Sequence, residues 1–227
     1  MKDNKITGKT WFIILLLLII TLFISIPFKV GEPSILGAVV SVSKVYVTGV
    51  DTNESCDFNL TEGWNLIGIV CTPNNTSIGS MLSPINGSYA SIHRYDTQED
   101  VDKWKSYNPS MPSWVVQDIS SISNEKGYWI NIDNDTTLNV NGTIALPHKI
   151  SLVQGWNLIG YPSNVSASPA NAFSSIGGSY SIAWTYNTTE DVYLYYDANL
   201  GSGTLNEIVA EKGYWINMTA SDDLWLT

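Results

Sequence analysis

At 227 residues, with 11 Lys/Arg against 21 Asp/Glu, the chain carries a formal net charge of −10. That balance argues against nucleic acid and against anionic membrane surfaces as partners, since both require clustered positive charge. Two cysteines and two histidines leave no Cys/His-spaced metal centre, and no cofactor is expected.

Trp11 to Phe28 is an apolar run interrupted only by Thr21 and Ser25, preceded by Lys2, Lys5 and Lys9 and closed by Pro27 and Lys29. Eighteen helical residues rise about 27 Å, enough for a hydrocarbon core. Three lysines before the run and one after it place residues 1–10 in the cytoplasm and residues 11–28 across the membrane. The remainder is then an extracellular ectodomain on a single-pass cell-membrane protein. A cleaved secretory signal is the second reading, although no small-x-small site directly follows Phe28. A pilin-like leader is the third, with Thr7-Gly8-Lys9 a poor match to such a processing site. Residues 29–43 form a Gly-, Pro- and Ser-containing connector.

From residue 44 the chain is written twice, as repeat 1 over 44–143 and repeat 2 over 144–227. Gly63-Trp64-Asn65-Leu66-Ile67-Gly68 returns as Gly155-Trp156-Asn157-Leu158-Ile159-Gly160. Glu125-Lys126-Gly127-Tyr128-Trp129-Ile130-Asn131 returns as Glu211-Lys212-Gly213-Tyr214-Trp215-Ile216-Asn217. Glu99-Asp100-Val101 matches Glu190-Asp191-Val192, so copies differ by small loop deletions around a held framework. Such duplication is the signature of a tandem structural or binding module.

Within repeat 1, Lys44–Gly49 reads as a strand, echoed by Leu138–Gly142. The segments around Gly63 and Gly155 read as β-hairpins, being rich in β-formers with polar alternation and a Gly turn. Gly127–Asn131 and its copy are further strands, each entered after a helical turn at Asp118–Asn124 or Leu205–Ala210. No sustained 3.6-residue periodicity follows the apolar run. The fold class expected is all-β: two tandem, small β-sandwich or barrel-like repeats with at most one short helix each. The short linker Ile144–His148 suggests units packed end to end in a fixed orientation.

The pairing of a GWNLIG strand with a later GYWI strand resembles a repeat of archaeal and bacterial cell-surface proteins, over roughly residues 56–227. The resemblance implies an extracellular β module, and it carries no catalytic residues.

Cys56 and Cys71 flank the first GWNLIG and are expected to pair in an exported domain. Ten Asn-x-Ser/Thr sequons mark glycosylation candidates: Asn53, Asn59, Asn74, Asn75, Asn86, Asn134, Asn141, Asn164, Asn187 and Asn217. The acidic segments holding Glu99, Asp100, Glu190 and Asp191 are solvated turns, and only weakly a calcium site, because they lack a calcium-loop spacing. His93, beside Arg94 in a Tyr-rich strand, is read as a surface or packing residue, and no catalytic residue is assigned.

Aromatics carry the strongest functional signal. Trp64 and Trp156 are expected in the core. Alternate strand residues share a face, so a glycan-bearing Asn217 would put Trp215, and by repeat Trp129, on the outer face. Trp129, Trp215, Trp104 and Tyr195 are the candidate ligand or interface aromatics. The reading is a structural or adhesive surface glycoprotein without catalysis. It would meet surface proteins or glycans, with self-association possible. The alternatives are a dedicated carbohydrate-binding protein using exposed Trp and Tyr, and a pilin-like filament subunit.

Overall fold

A computed structural model describes residues 54–99, 101–112 and 114–227. The expected membrane span at 11–28, the connector, the strand at 44–49, Asn53 and Asp100 lie outside the described residues. Among the described residues no helix is long and apolar enough to cross a membrane.

Repeat 1 begins with β1 (Glu54–Leu60), β2 (Gly63–Gly68) and β3 (Thr72–Pro73), followed by the short helix α1 (Ile78–Met81). It continues with β4 (Tyr89–Tyr95), β5 (Trp104–Tyr107), β6 (Gly127–Ile132) and β7 (Thr136–Thr143). Repeat 2 runs β8 (His148–Leu152), β9 (Gly155–Ile159), α2 (Pro169–Ala172), β10 (Tyr180–Asn187) and β11 (Val192–Asp197). It closes with β12 (Ser202–Gly203), β13 (Tyr214–Met218) and β14 (Asp222–Leu226).

Each repeat is two antiparallel layers. The smaller layer joins first strand to last, as β1-β7-β3 in repeat 1 and β8-β14 in repeat 2. The larger layer has the order β2-β6-β4-β5, repeated as β9-β13-β10-β11 with β12 added at the edge. The fold is therefore all-β, with one short α-helix per copy. Period-2 alternation sends Tyr128, Ile130 and Ile132 inward against Phe58, Leu138 and Val140, and Tyr214, Ile216 and Met218 inward against Ile150 and Leu224. Two separate cores result, one per repeat.

Three expectations are corrected. The Gly63 and Gly155 segments are not hairpins: β1 pairs with β7, whereas β2 pairs with β6. The chain arches from one layer to the other at Gly63 and Gly155, both at φ 94°. The motif asparagine holds this arch. Asn65 Nδ2 donates to the Thr61 and Gly63 carbonyls at 2.7 and 3.1 Å, and Asn157 does the same to Val153 and Gly155 at 2.7 and 3.0 Å. A buried amide satisfied by local backbone replaces the ladder that a hairpin would supply.

The second correction concerns Asp118–Asn124 and Leu205–Ala210, which are irregular, each with one isolated β-bridge (Ser121 to Ser77, Ile208 to Ala167), rather than helical. Their backbone groups are taken by distant partners: Ile122 N–H donates to Thr76 O at 2.8 Å, and Ile208 N–H to Ala167 O at 2.7 Å. The helical turns fall instead at Ile78–Met81 and Pro169–Ala172.

Cys56 and Cys71 form a disulfide. It ties β1 to the residue that precedes β3, the strands on either side of β7, at a sequence separation of 15. A loop of that length contributes about 3 kcal/mol in the chain-entropy model. Repeat 2 has no bridge. Reduction is expected to lower the stability of repeat 1 by about that amount without unfolding repeat 2. Native-state hydrogen exchange with and without dithiothreitol checks this, with the β7 amides losing protection and the β14 amides keeping it.

Both repeats belong to one compact unit, Thr48–Thr227, and they are not stacked end to end. β2 meets the segment entering β13, with an Ile67–Lys212 bridge, and β9 meets the segment entering β6, with a Lys126–Ile159 bridge. Gly68 N–H donates to Glu211 O and Gly160 N–H donates to Glu125 O, each at 3.1 Å. Residue i of one copy meets residue j of the other, and j meets i, which is the contact pattern of a two-fold interface inside one chain. Leu66 and Leu158 are buried at 1% and 2% exposure yet belong to neither core. They fill this junction against Gly213 and Gly127.

Candidate functional site

The outer faces of the two larger layers turn toward each other across the junction. In β6 and β13 the inward residues Tyr128 and Tyr214 are fully buried. Their phenols are anchored to backbone, Tyr128 accepting from Ser123 N–H and Tyr214 from Val209 N–H, both at 2.8 Å. Burial pushes the Tyr214 hydroxyl well above the ordinary phenol range, and Tyr128 in the same direction. With these residues locked inward, Trp129 and Trp215 must stand on the outer face, where both are half-buried.

What half-buries them is the other repeat. Trp129 packs on Tyr186 and Tyr193 with ring centroids 5.2 and 6.3 Å apart. Trp215 packs on Tyr95 and Trp104 at 5.0 and 5.8 Å. Each is also met edge-on by its own motif tryptophan, Trp64 on Trp129 and Trp156 on Trp215, both at 84° between ring planes. The two sets correspond residue for residue: Trp64 with Trp156, Tyr95 with Tyr186, Trp104 with Tyr193, and Trp129 with Trp215. Six of the nine tryptophans of the chain belong to this cluster.

The rings enclose two clefts. One, of about 410 Å³, is walled by Tyr95, Trp156, Trp184, Tyr193 and Trp215. The other, of about 450 Å³, is walled by Trp64, His93, Trp104, Trp129, Tyr186, Asp191 and Tyr193. Both lie within the size range of small-molecule pockets. The copies differ where Trp184 of the first cleft is replaced by His93 in the second, since both occupy the same position of the central strand.

Polar groups are few and placed differently. In the first cleft the indole N–H of Trp184 is buried and finds no acceptor among the described residues. In the second, Asp191 accepts the phenolic hydrogen of Tyr186. That hydrogen bond to the carboxylate, with a smaller contribution from burial, pushes the Tyr186 phenol up to about 12. Asp191 takes φ 54° in a turn fixed by Asn187 Oδ1, which accepts from Thr189 and Glu190 N–H at 3.1 and 3.4 Å.

His93 Nε2 lies 3.0 Å from Ser91 Oγ. The two residues are neighbours on one strand face, and among the described residues no carboxylate orients the imidazole, so the pair lacks the third member of a nucleophilic triad. Partial burial pushes the His93 pKa below its usual value. The unfolded chain therefore takes up this proton at higher pH than the folded chain, and stability falls as pH drops below about 6.5. His93→Gln is expected to flatten that acid limb, as read from urea midpoints at pH 7.5 and pH 5.5.

The residues singled out from sequence are placed as follows. Trp129 and Trp215 are central cleft walls, and Trp104, 46% exposed, is a rim. Tyr195 stacks beside Trp184 at 5.5 Å on the outer edge of the cluster. Trp64 and Trp156, expected in the core, are 42% and 40% exposed and form rims. They follow the arch glycine, and the buried asparagine beside them takes the inward direction.

Among the described residues no three carboxylate, His or Cys groups converge as a metal site. Glu190 is exposed in the turn, while Asp191 serves the cleft. Asn59, Asn74, Asn75, Asn86, Asn134, Asn141 and Asn164 are exposed, whereas Asn187 and Asn217 are half-buried. Tyr186 recurs with Tyr95 in the sequence, whereas Trp184 and Tyr193 were not singled out from it. The signal for Trp184 is the alternation Trp184-Thr185-Tyr186, in which Thr185 is buried. No known protein-family model, curated protein or solved structure matches this chain.

Proposed function

We propose that the chain is a non-catalytic cell-surface module that binds glycans in its paired aromatic clefts. The observation that carries this reading is the mirrored pair of Trp/Tyr boxes where the two repeats meet. A fold needing only core would bury these rings, whereas Trp64, Trp104, Trp156 and Tyr193 keep 40–54% of their surface open. Exposed rings of this kind stack on the apolar faces of sugars, and their polar tips serve hydroxyls. The unpaired Trp184 N–H supplies a donor and Asp191 an acceptor. The apolar run at 11–28, the density of sequons and the GWNLIG…GYWI resemblance support presentation outside the cell on a single-pass anchor.

Immobilised full-length chain should retain a subset of oligosaccharides on a glycan array. Trp64→Ala and Trp156→Ala should each weaken the best binder roughly tenfold, or about 1.4 kcal/mol. Binding unaffected by both substitutions, or no retained glycan, would contradict the reading.

A second reading, contact with a surface protein, is favoured by the loop after β5. It is pinned by Gln117 on Asn108 at 3.0 Å and presents Trp114 and Val116 at 81% and 85% exposure.

A further inference from the structure

The two clefts share a shape, and the one containing Asp191 adds a fixed negative charge to it. Its walls are mutually steep rather than coplanar, with Trp129 at 84° to Trp64, 69° to Tyr193 and 57° to Tyr186. A flat platform suits one sugar face. Steep rings instead converge their electron-rich faces on one small volume, where a compact cation is stabilised.

The carboxylate of Asp191 stands in the same wall, held by Tyr186 and by the Asn187 turn, so charge and rings are pre-positioned. No lysine or arginine is among the cleft-lining residues. The cluster already accepts one cation at its margin, Lys103 Nζ lying 5.9 Å from the centre of the Tyr95 ring. The chain as a whole, at −10, raises the local concentration of cations.

We infer that the Asp191 cleft takes the protonated amine of an amino sugar, so that the glycan recognised carries free rather than acetylated amines. The ammonium group lies between the ring faces and donates to the Asp191 carboxylate, while the pyranose ring stacks on the rim at Trp64 and Trp104. This rests on the glycan-binding reading above and narrows it to one sugar class. In sequence the aspartate recurs as Asp100, outside the described residues.

The test is calorimetric titration of the full-length chain with three tetrasaccharides of equal length: β-1,4-glucosamine, its N-acetylated form and β-1,4-glucose. Measurements are made at a pH that keeps the amine protonated. The free-amine oligomer is expected to bind at least tenfold more tightly than the other two, with affinity falling as salt is raised. Asp191→Asn is expected to erase that preference, so that the free-amine oligomer binds no more tightly than the neutral ones.

Equal binding of all three sugars would overturn the inference and leave glycan recognition standing. So would a free-amine preference untouched by Asp191→Asn. Binding of none of the three, on a chain whose spectrum shows it folded, would overturn both.

Discussion

Gly68→Ala is expected to cost roughly 3 kcal/mol, and Gly160→Ala about as much, by forcing the two repeats apart. A Cβ on Gly68 would lie 2.6 Å from both Gly160 Cα and Lys212 O, and one on Gly160 would lie 2.4 Å from Asn124 O. These obstacles are backbone, pinned by the reciprocal hydrogen bonds to Glu211 and Glu125, and no rotamer change relieves them. Gly79 is the internal control, having open space within 4 Å of its notional Cβ and lying on a helix, where alanine is preferred. Chemical denaturation of the three variants checks the ranking. Equal midpoints for Gly68→Ala and Gly79→Ala would show that the copies do not touch at this point. Because the junction also holds the clefts together, Gly68→Ala should lose ligand along with stability.

Trp129→Ala and Trp215→Ala are expected to separate the two clefts functionally. Each ring buries on the order of 150 Å² against the opposite repeat, and at about 25 cal/mol per Å² its loss destabilises by roughly 4 kcal/mol. Trp129 walls the Asp191 cleft and Trp215 the other, so the losses in binding should differ in kind. Trp129→Ala should abolish discrimination for free amines, and Trp215→Ala should weaken neutral and cationic sugars alike. Tenfold or greater changes are expected in the affected affinity, since a central aromatic wall commonly dominates such sites. Both variants should melt as a single transition at lower temperature. A Trp129→Ala protein with unaltered selectivity would place the charged site elsewhere.

Much of the fold was legible because duplication isolates what the fold needs. The recurrence of Tyr128 as Tyr214 and of Ile130 as Ile216 marks inward strand positions, and the alternation between them puts Trp129 and Trp215 outward. The hairpin expectation at Gly63 failed for a specific reason. A glycine between two β-rich segments signals a reversal, but whether the strands pair or arch between layers depends on partners more than 60 residues away. The asparagine after Trp64 carried the information, as its buried amide closes the arch.

The helical turns were misplaced because Ile119 and Ile122 are spaced as on a helix while their backbone is claimed by distant segments. The clefts were only half legible. Trp and Tyr could be seen to recur, yet their assembly into one cluster depends on the crossed docking of the copies at Gly68 and Gly160, which no local pattern encodes.

Titration of the full-length, ¹⁵N-labelled chain with a binding oligosaccharide, followed through the tryptophan indole N–H resonances, tests the central claim most directly. The account requires the indoles of Trp64, Trp104, Trp129, Trp156, Trp184 and Trp215 to shift together, and those of Trp114 and Trp225, which are exposed and line neither cleft, to stay in place. Shifts confined to Trp114 or Trp225, with the six cluster indoles unmoved, would contradict it.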